Sequence, residues 1–184
     1  MNATPSRTVA QAWIELRSDD PAAVSAFAVA RARLAAGRSL GGLRRLRLIE
    51  VTGALPAPRE VDALLHRSIQ FYNPHKERCT LRFATADAAP TGAGEVLVCV
   101  TDRGGERRPG AERWWRHQTG EQADVRESVV WALRFEGAAD PLAAARELAL
   151  LVDRHQGLLC NPHAQTMDVT AGEIPLPWIR SDAR

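Results

Sequence analysis

Lysine is almost absent: Lys76 is the sole lysine among 24 basic residues, and the rest are arginine. Cysteine is scarce as well. Cys79, Cys99 and Cys160 are odd in number and form no CxxC pair, which argues against a disulfide framework and a cysteine-rich zinc site. No HxH, HxxxH or HExxH spacing supplies the fixed ligand geometry of a metal centre. No GxxxxGK[ST] or GxGxxG is present to cradle phosphate, and no GxSxG to raise a nucleophile. No apolar run approaches the roughly 18 residues needed to span a bilayer. The start, MNATPSRTVAQAW, lacks the basic-then-apolar profile of a secretory signal. A cytoplasmic protein, with no membrane contact and no cofactor, is the expectation. The arginine- and alanine-rich, lysine-poor usage is bacterial-like, as from a GC-rich coding sequence. A net charge of +2 falls short of a chain-wide nucleic-acid footprint.

The 184 residues are 45% hydrophobic, enough for a real core in one domain or two small, closely packed ones. Periodicity predicts strands at 8–16, 44–51, 78–84, 95–100 and 128–137, and helices at 58–69 and 111–118. Two further helices follow Asp20-Pro21 and Asp140-Pro141, where an aspartate N-cap precedes a first-turn proline. Apolar spacing assigns Val24, Phe27, Ala28 and Leu34 to the buried face of the first helix. It assigns Val61, Leu64, Leu65 and Ile69 to the second, and Leu142, Ala145, Leu148, Ala149 and Val152 to the last.

The pattern runs twice. Gly53 and Gly137 each follow a strand, offset by 84, and Asn73-Pro74-His75 recurs as Asn161-Pro162-His163, offset by 88. The expected fold is therefore α/β (α+β), from internally duplicated β-α-β-α-β-β units. It would have a mixed sheet, mostly parallel, with a hairpin at each NPH and helices packed on it. A tandem ferredoxin-like layout is one version. The organisation is a flexible N-terminus (1–7), a first repeat (8–86), a linker (87–94), a second repeat (95–171) and an extended tail (172–184).

Asn-Pro is favourable type I turn chemistry, so an NPH turn between strands needs no further function. The functional reading brings His75 and His163 into one cleft as acid/base groups, with Lys76 as a third candidate and Lys76 or Arg78 holding an anion. His75, Cys160 and His163 are the available, though poorly spaced, metal ligands. The segment DRGGERRPGAERWWRHQ (102–118) combines arginine with paired tryptophan. That combination suits a protein interface, with Arg107, Arg108, Arg113, Trp114, Trp115 and Arg116 as contacts. Residues 103–118 equally suit phosphate contact with base stacking on RNA or DNA. The tail's IPLPWI, which contains Trp178, must dock on its own sheet or on a partner.

These features point to a non-catalytic accessory or adaptor subunit that binds a protein partner. The alternatives are a small-molecule enzyme or ligand-binding protein with its site between the NPH loops, and a nucleic-acid-binding module.

Overall fold

The computed structural model describes residues 8–180. The expected flexible segment 1–7 and the last four residues of the tail lie outside the described residues. In chain order the elements are β1 (Thr8–Leu16), α1 (Pro21–Arg33), a 3-10 turn (Ala36–Ser39), β2 (Leu40–Gly53), α2 (Pro58–His66) and β3 (Glu77–Arg82). There follow β4 (Glu95–Asp102), α3 (Pro109–Thr119), β5 (Ala123–Phe135), α4 (Pro141–Ala149) and β6 (Gln165–Thr170). No described helix is long and apolar enough to cross a membrane.

The strands form one six-stranded sheet in the order β3-β1-β2-β5-β4-β6. Every neighbouring pair is antiparallel, which corrects the mixed, mostly parallel sheet expected from the sequence. A parallel crossover needs helix and strand to return to the same end of the sheet. Here α1 and the 3-10 turn bring the chain back alongside β1 running the opposite way. The NPH triplets are also not hairpins. Residues 70–72 form a turn rather than a strand, so each half runs β-α-β-α-β, and each NPH leads into an outermost strand.

The capping expectations hold. The Asp20 carboxylate accepts the N–H groups of Ala22 and Ala23, and that of Asp140 accepts the N–H of Ala143. α3 ends on Gly120 at φ 76°, the left-handed conformation that glycine adopts without steric cost. The helix ends were overrun by the apolar pattern. α2 stops at His66 and α4 at Ala149, leaving Ile69 and Val152 exposed. In α1 the buried face is Ala23 and Ala30 with Phe27 partly covered, while Val24 and Ala28 face outward.

Both faces of the sheet are covered. On one, α2 and α3 pack over β1 and β2, around Ile14, Val51, Leu65, Phe71 and Trp115. On the same face α1 and α4 pack over β5 and β4, around Ala30, Val98, Leu133 and Leu148. Within these clusters α1, which connects β1 to β2, makes its strand contacts chiefly with β2, and α3, which connects β4 to β5, makes its own chiefly with β5. The stretches 8–86 and 95–171 share one sheet. On the opposite face, Ile174, Trp178 and Ile179 of the tail join Trp13, Leu46, Leu48, Leu97 and Val130. The tail docks on its own sheet.

Candidate functional site

Six outward or inward features decide what this surface can do, beginning with the NPH loops. β3 and β6 occupy opposite edges of the sheet, five strand spacings or roughly 24 Å apart. The alternating strand directions also start β3 and β6 from opposite ends. His75 and His163 therefore stand at diagonal corners, and no cleft joins them. The site between the NPH loops is corrected on this ground. Among the described residues no His, Cys, Asp and Glu cluster could hold a metal.

The loops nonetheless make matching bonds. Asn73 Oδ1 accepts the N–H of His75, and Asn161 Oδ1 that of His163, each at 3.0 Å. Glu77 Oε2 accepts the N–H of Asn73 at 2.6 Å, and Gln165 Oε1 that of Asn161 at 2.9 Å. The Arg17 N–H donates to the Lys76 carbonyl and the Arg103 N–H to the Ala164 carbonyl. Their side chains reach the Pro74 and Pro162 carbonyls, respectively. His75 and Lys76 project into solvent.

All three thiols are pushed up by burial. Cys79 and Cys99 rise to about 12, and Cys160 rises too, with partial relief from nearby Arg103. A thiol held protonated is neither nucleophile nor soft ligand at neutral pH.

The Trp/Arg segment is divided by the fold. Trp115 is fully buried and meets Phe71 edge-on, and Trp114 packs on the same ring at 5.5 Å between centroids. Neither ring forms an open stacking platform. Trp178 is 5% exposed and rests on Trp13. Of the tryptophans expected as partner contacts, Trp115 and Trp178 are thus part of this chain's core and Trp114 is partly buried against it. Arg107 forks onto Glu112, and Arg108 pairs with Glu127. Arg107, Arg113 and Arg116 line a shallow cavity of about 290 Å³ with Glu112 and Asp124.

Two buried polar networks escaped the sequence reading. On the tail face, Glu50 accepts N–H groups from Trp178 and Ile179 and the amide of Gln11. Gln11 Oε1 in turn accepts from Arg82, whose guanidinium also reaches the Thr85, Asp87 and Ile174 carbonyls. Burial raises the Glu50 carboxyl above its ordinary range, against the pull of those hydrogen bonds. On the helix face, Arg47 donates to Glu127, Glu77 and the Phe71 carbonyl, in a polar band between the two helix clusters. A charged residue within an apolar strand run, as in LRLIEV, was the available signal.

An opening adjoins β2. The central pair β2·β5 outlasts its neighbours at both ends. Leu40 and residues Gly42–Leu46 pair with β5 alone, with Gly41 at a register shift between them, since β1 pairs with β2 only from Arg47 onward. Residues Ala123–Ser128 pair with β2 alone among the strands, since β5 pairs with β4 only from Val129 onward. The two free edges have different fates. Along β5 the chain covers itself: Arg107 bridges Arg126 antiparallel, the Arg108 N–H donates to the Val125 carbonyl at 2.8 Å, and the Glu127 N–H donates to the Glu106 carbonyl at 2.7 Å. The Glu106 side chain accepts from Arg126.

Along β2 no described strand lies on the edge. A cavity of about 500 Å³ opens there, lined by Gly41, Gly42, Leu43 and by Arg17, Arg44, Arg45 and Arg78. Phe27, Val24 and Ala23 form its helix-side wall, and Glu15, Asp19 and Asp20 its carboxylates. Arg44 is held by Glu95, Glu15 and the Pro90 carbonyl, and Arg45 by Asp20. Neither a family model, a curated protein nor a solved structure matches this chain.

Proposed function

We propose that the chain is a non-catalytic accessory or adaptor protein of the cytoplasm, which binds a protein partner through a duplicated α/β scaffold. The observation that carries this reading is the stretch of β2 from Leu40 to Leu46, which no described strand pairs on its β1 side and which opens onto an arginine-lined cavity; at its start the Leu40 and Gly41 carbonyls accept from Arg31 and Arg134. Unpaired strand edges are sites of association, and native proteins normally blunt or cover them. This chain covers one such edge with its own residues 106–108, and no described backbone segment pairs along the corresponding one. The matched bonding of the two NPH loops supports a duplicated scaffold. Relative to the contacts expected from the sequence, the reading moves the binding surface from the buried tryptophans to β2.

The test is site-specific photo-cross-linking of the full chain in its native lysate. A photoreactive residue replaces Ser18 or Arg78 beside the cavity, or the exposed Ile69 or Val152 as controls. Capture of one protein from 18 and 78 but not from 69 or 152 supports the reading. Capture from no position, or equally from all four, sinks it.

A further inference from the structure

Resting on that reading, we infer that the partner supplies an extended segment of alternating acidic and apolar residues, which adds antiparallel to β2 at Leu40–Leu46. The argument starts from what already covers the corresponding edge. Residues 106–108 lie along β5 through one antiparallel bridge and its flanking hydrogen bonds, and they bring a glutamate that is itself buried onto an arginine of the strand they cover. A segment on β2 meets the same backbone geometry. Ladder hydrogen bonds of this kind give affinity, and the side chains between them give specificity.

The two walls set the side-chain pattern. Successive residues of a strand point to opposite faces. On the helix side of the cavity an incoming side chain meets Phe27, Val24, Ala23 and Leu43, beside the Arg45–Asp20 pair. On the other side it meets Arg44 and Arg78, which share a face with Glu15. An apolar residue suits the first and a carboxylate the second.

The donors left over decide the sign. Four arginines and three carboxylates line the cavity, Asp19 among them exposed, and Glu95 beside it also takes Arg44. Of these, Asp20 is engaged by Arg45 and by the N-terminus of α1, and Glu15 by Arg44. The Arg17 side chain donates through Nε to the Pro74 carbonyl, and Arg78 approaches Glu15 only at 3.8 Å. Both guanidinium groups therefore retain donors for an incoming carboxylate, and a carboxylate–guanidinium pair is among the stronger polar contacts a peptide can make.

The test uses the full chain and fluorescein-labelled eight-residue peptides, read by fluorescence anisotropy. The probes are alternating Glu-Val, alternating Lys-Val, and Glu-Val N-methylated at every residue. The Glu-Val peptide is expected to bind, the Lys-Val peptide at least about tenfold more weakly, and the N-methylated peptide not at all, because the ladder donors are gone. The double variant Arg17→Glu/Arg78→Glu, checked for an unchanged melting temperature, should lose about tenfold in affinity for Glu-Val.

Equal binding of Glu-Val and Lys-Val overturns the acidic assignment, and binding that survives N-methylation overturns strand addition. No binding of Glu-Val, or a dimer in sedimentation that blocks it, overturns the inference as a whole. If cross-linking still captures a partner at Ser18 and Arg78 in that case, the adaptor reading stands and only the partner's chemistry is wrong.

Discussion

The Glu50 carboxylate accepts the backbone N–H of Trp178 at 2.6 Å, joining residues 128 positions apart. The contact fixes the tail against the centre of the sheet, and it does so with a buried acid. Burial is the largest influence on that acid and raises its pKa from 4.5, while the Trp178, Gln11 and Ile179 donors oppose it. A carboxyl whose folded pKa lies above its unfolded value binds more protons folded than unfolded in the window between them. Its ionisation therefore costs stability as pH rises from about 4.5 through the folded value.

Glu50→Gln removes this titration and presents an amide donor where two backbone donors need acceptors. The variant should be less stable by about 1–3 kcal/mol at pH 4, where the native acid is most protonated. The gap between the two proteins should narrow as pH rises to 7. Urea unfolding of both proteins at pH 4, 5, 6 and 7 measures it. A gap that widens with pH would mean that the ionised carboxylate is the favoured form in the folded protein.

Trp178→Ala tests the packing half of the same attachment. The ring is buried against Trp13 with Ile174 and Ile179 beside it. Truncation of a buried aromatic ring costs about 3–5 kcal/mol. Deleting residues 174–184 should go further, exposing Leu46, Leu48, Leu97 and Val130 together. The expected result is a chain that binds a hydrophobic dye and unfolds or aggregates. A truncated chain with a native melting temperature would show that the tail is not part of the core.

The two helix starts were legible because their signal is local: an aspartate cap and a first-turn proline are adjacent in sequence. Five of the six strands were legible from period-two and apolar runs, while β6, the short QTMDVT, was not. Strand direction was not, because apolar spacing does not distinguish a parallel crossover from an antiparallel return. Ile69 and Val152 were misplaced for a related reason. Each continues the helical spacing by one more turn, but the chain leaves the helix before reaching it. The partner assignment of Trp115 and Trp178 followed composition, and tryptophan composition reads the same in a core and at an interface. The open edge of β2 had no sequence signature. It depends on where β1 stops pairing, which is a property of two strands together.

Thiol chemistry gives a further prediction. Cys99 and Cys160 are buried, Cys79 is half-buried, and burial raises all three thiols. Native protein at pH 8 should therefore react slowly with a thiol reagent such as dithionitrobenzoate, whereas unfolding in guanidinium should release all three thiols at once. Rapid stoichiometric labelling of native Cys160, the residue beside the second NPH loop, would restore the idea of a reactive centre there.

Lys76 and Glu77 are neighbours, yet the fold gives them opposite importance. Lys76 projects into solvent, and its contribution to the loop is its carbonyl, which accepts the N–H of Arg17. Ala164 makes the same bond to Arg103 without any charge. Lys76→Ala should therefore change stability by no more than about 0.5 kcal/mol. Glu77 does two things: one oxygen caps the Asn73 N–H, and the other receives Arg47. Glu77→Gln keeps the cap, as Gln165 does in the other loop, but weakens the ion pair. Arg47→Ala removes the cation from Glu77, Glu127 and the Phe71 carbonyl together, and breaking such a partly buried cluster costs about 3 kcal/mol. The expected order of destabilisation is Lys76→Ala below Glu77→Gln below Arg47→Ala, read from chemical unfolding midpoints at pH 7. A Lys76→Ala loss as large as that of Arg47→Ala would show that the sole lysine supports the fold through a contact other than its carbonyl.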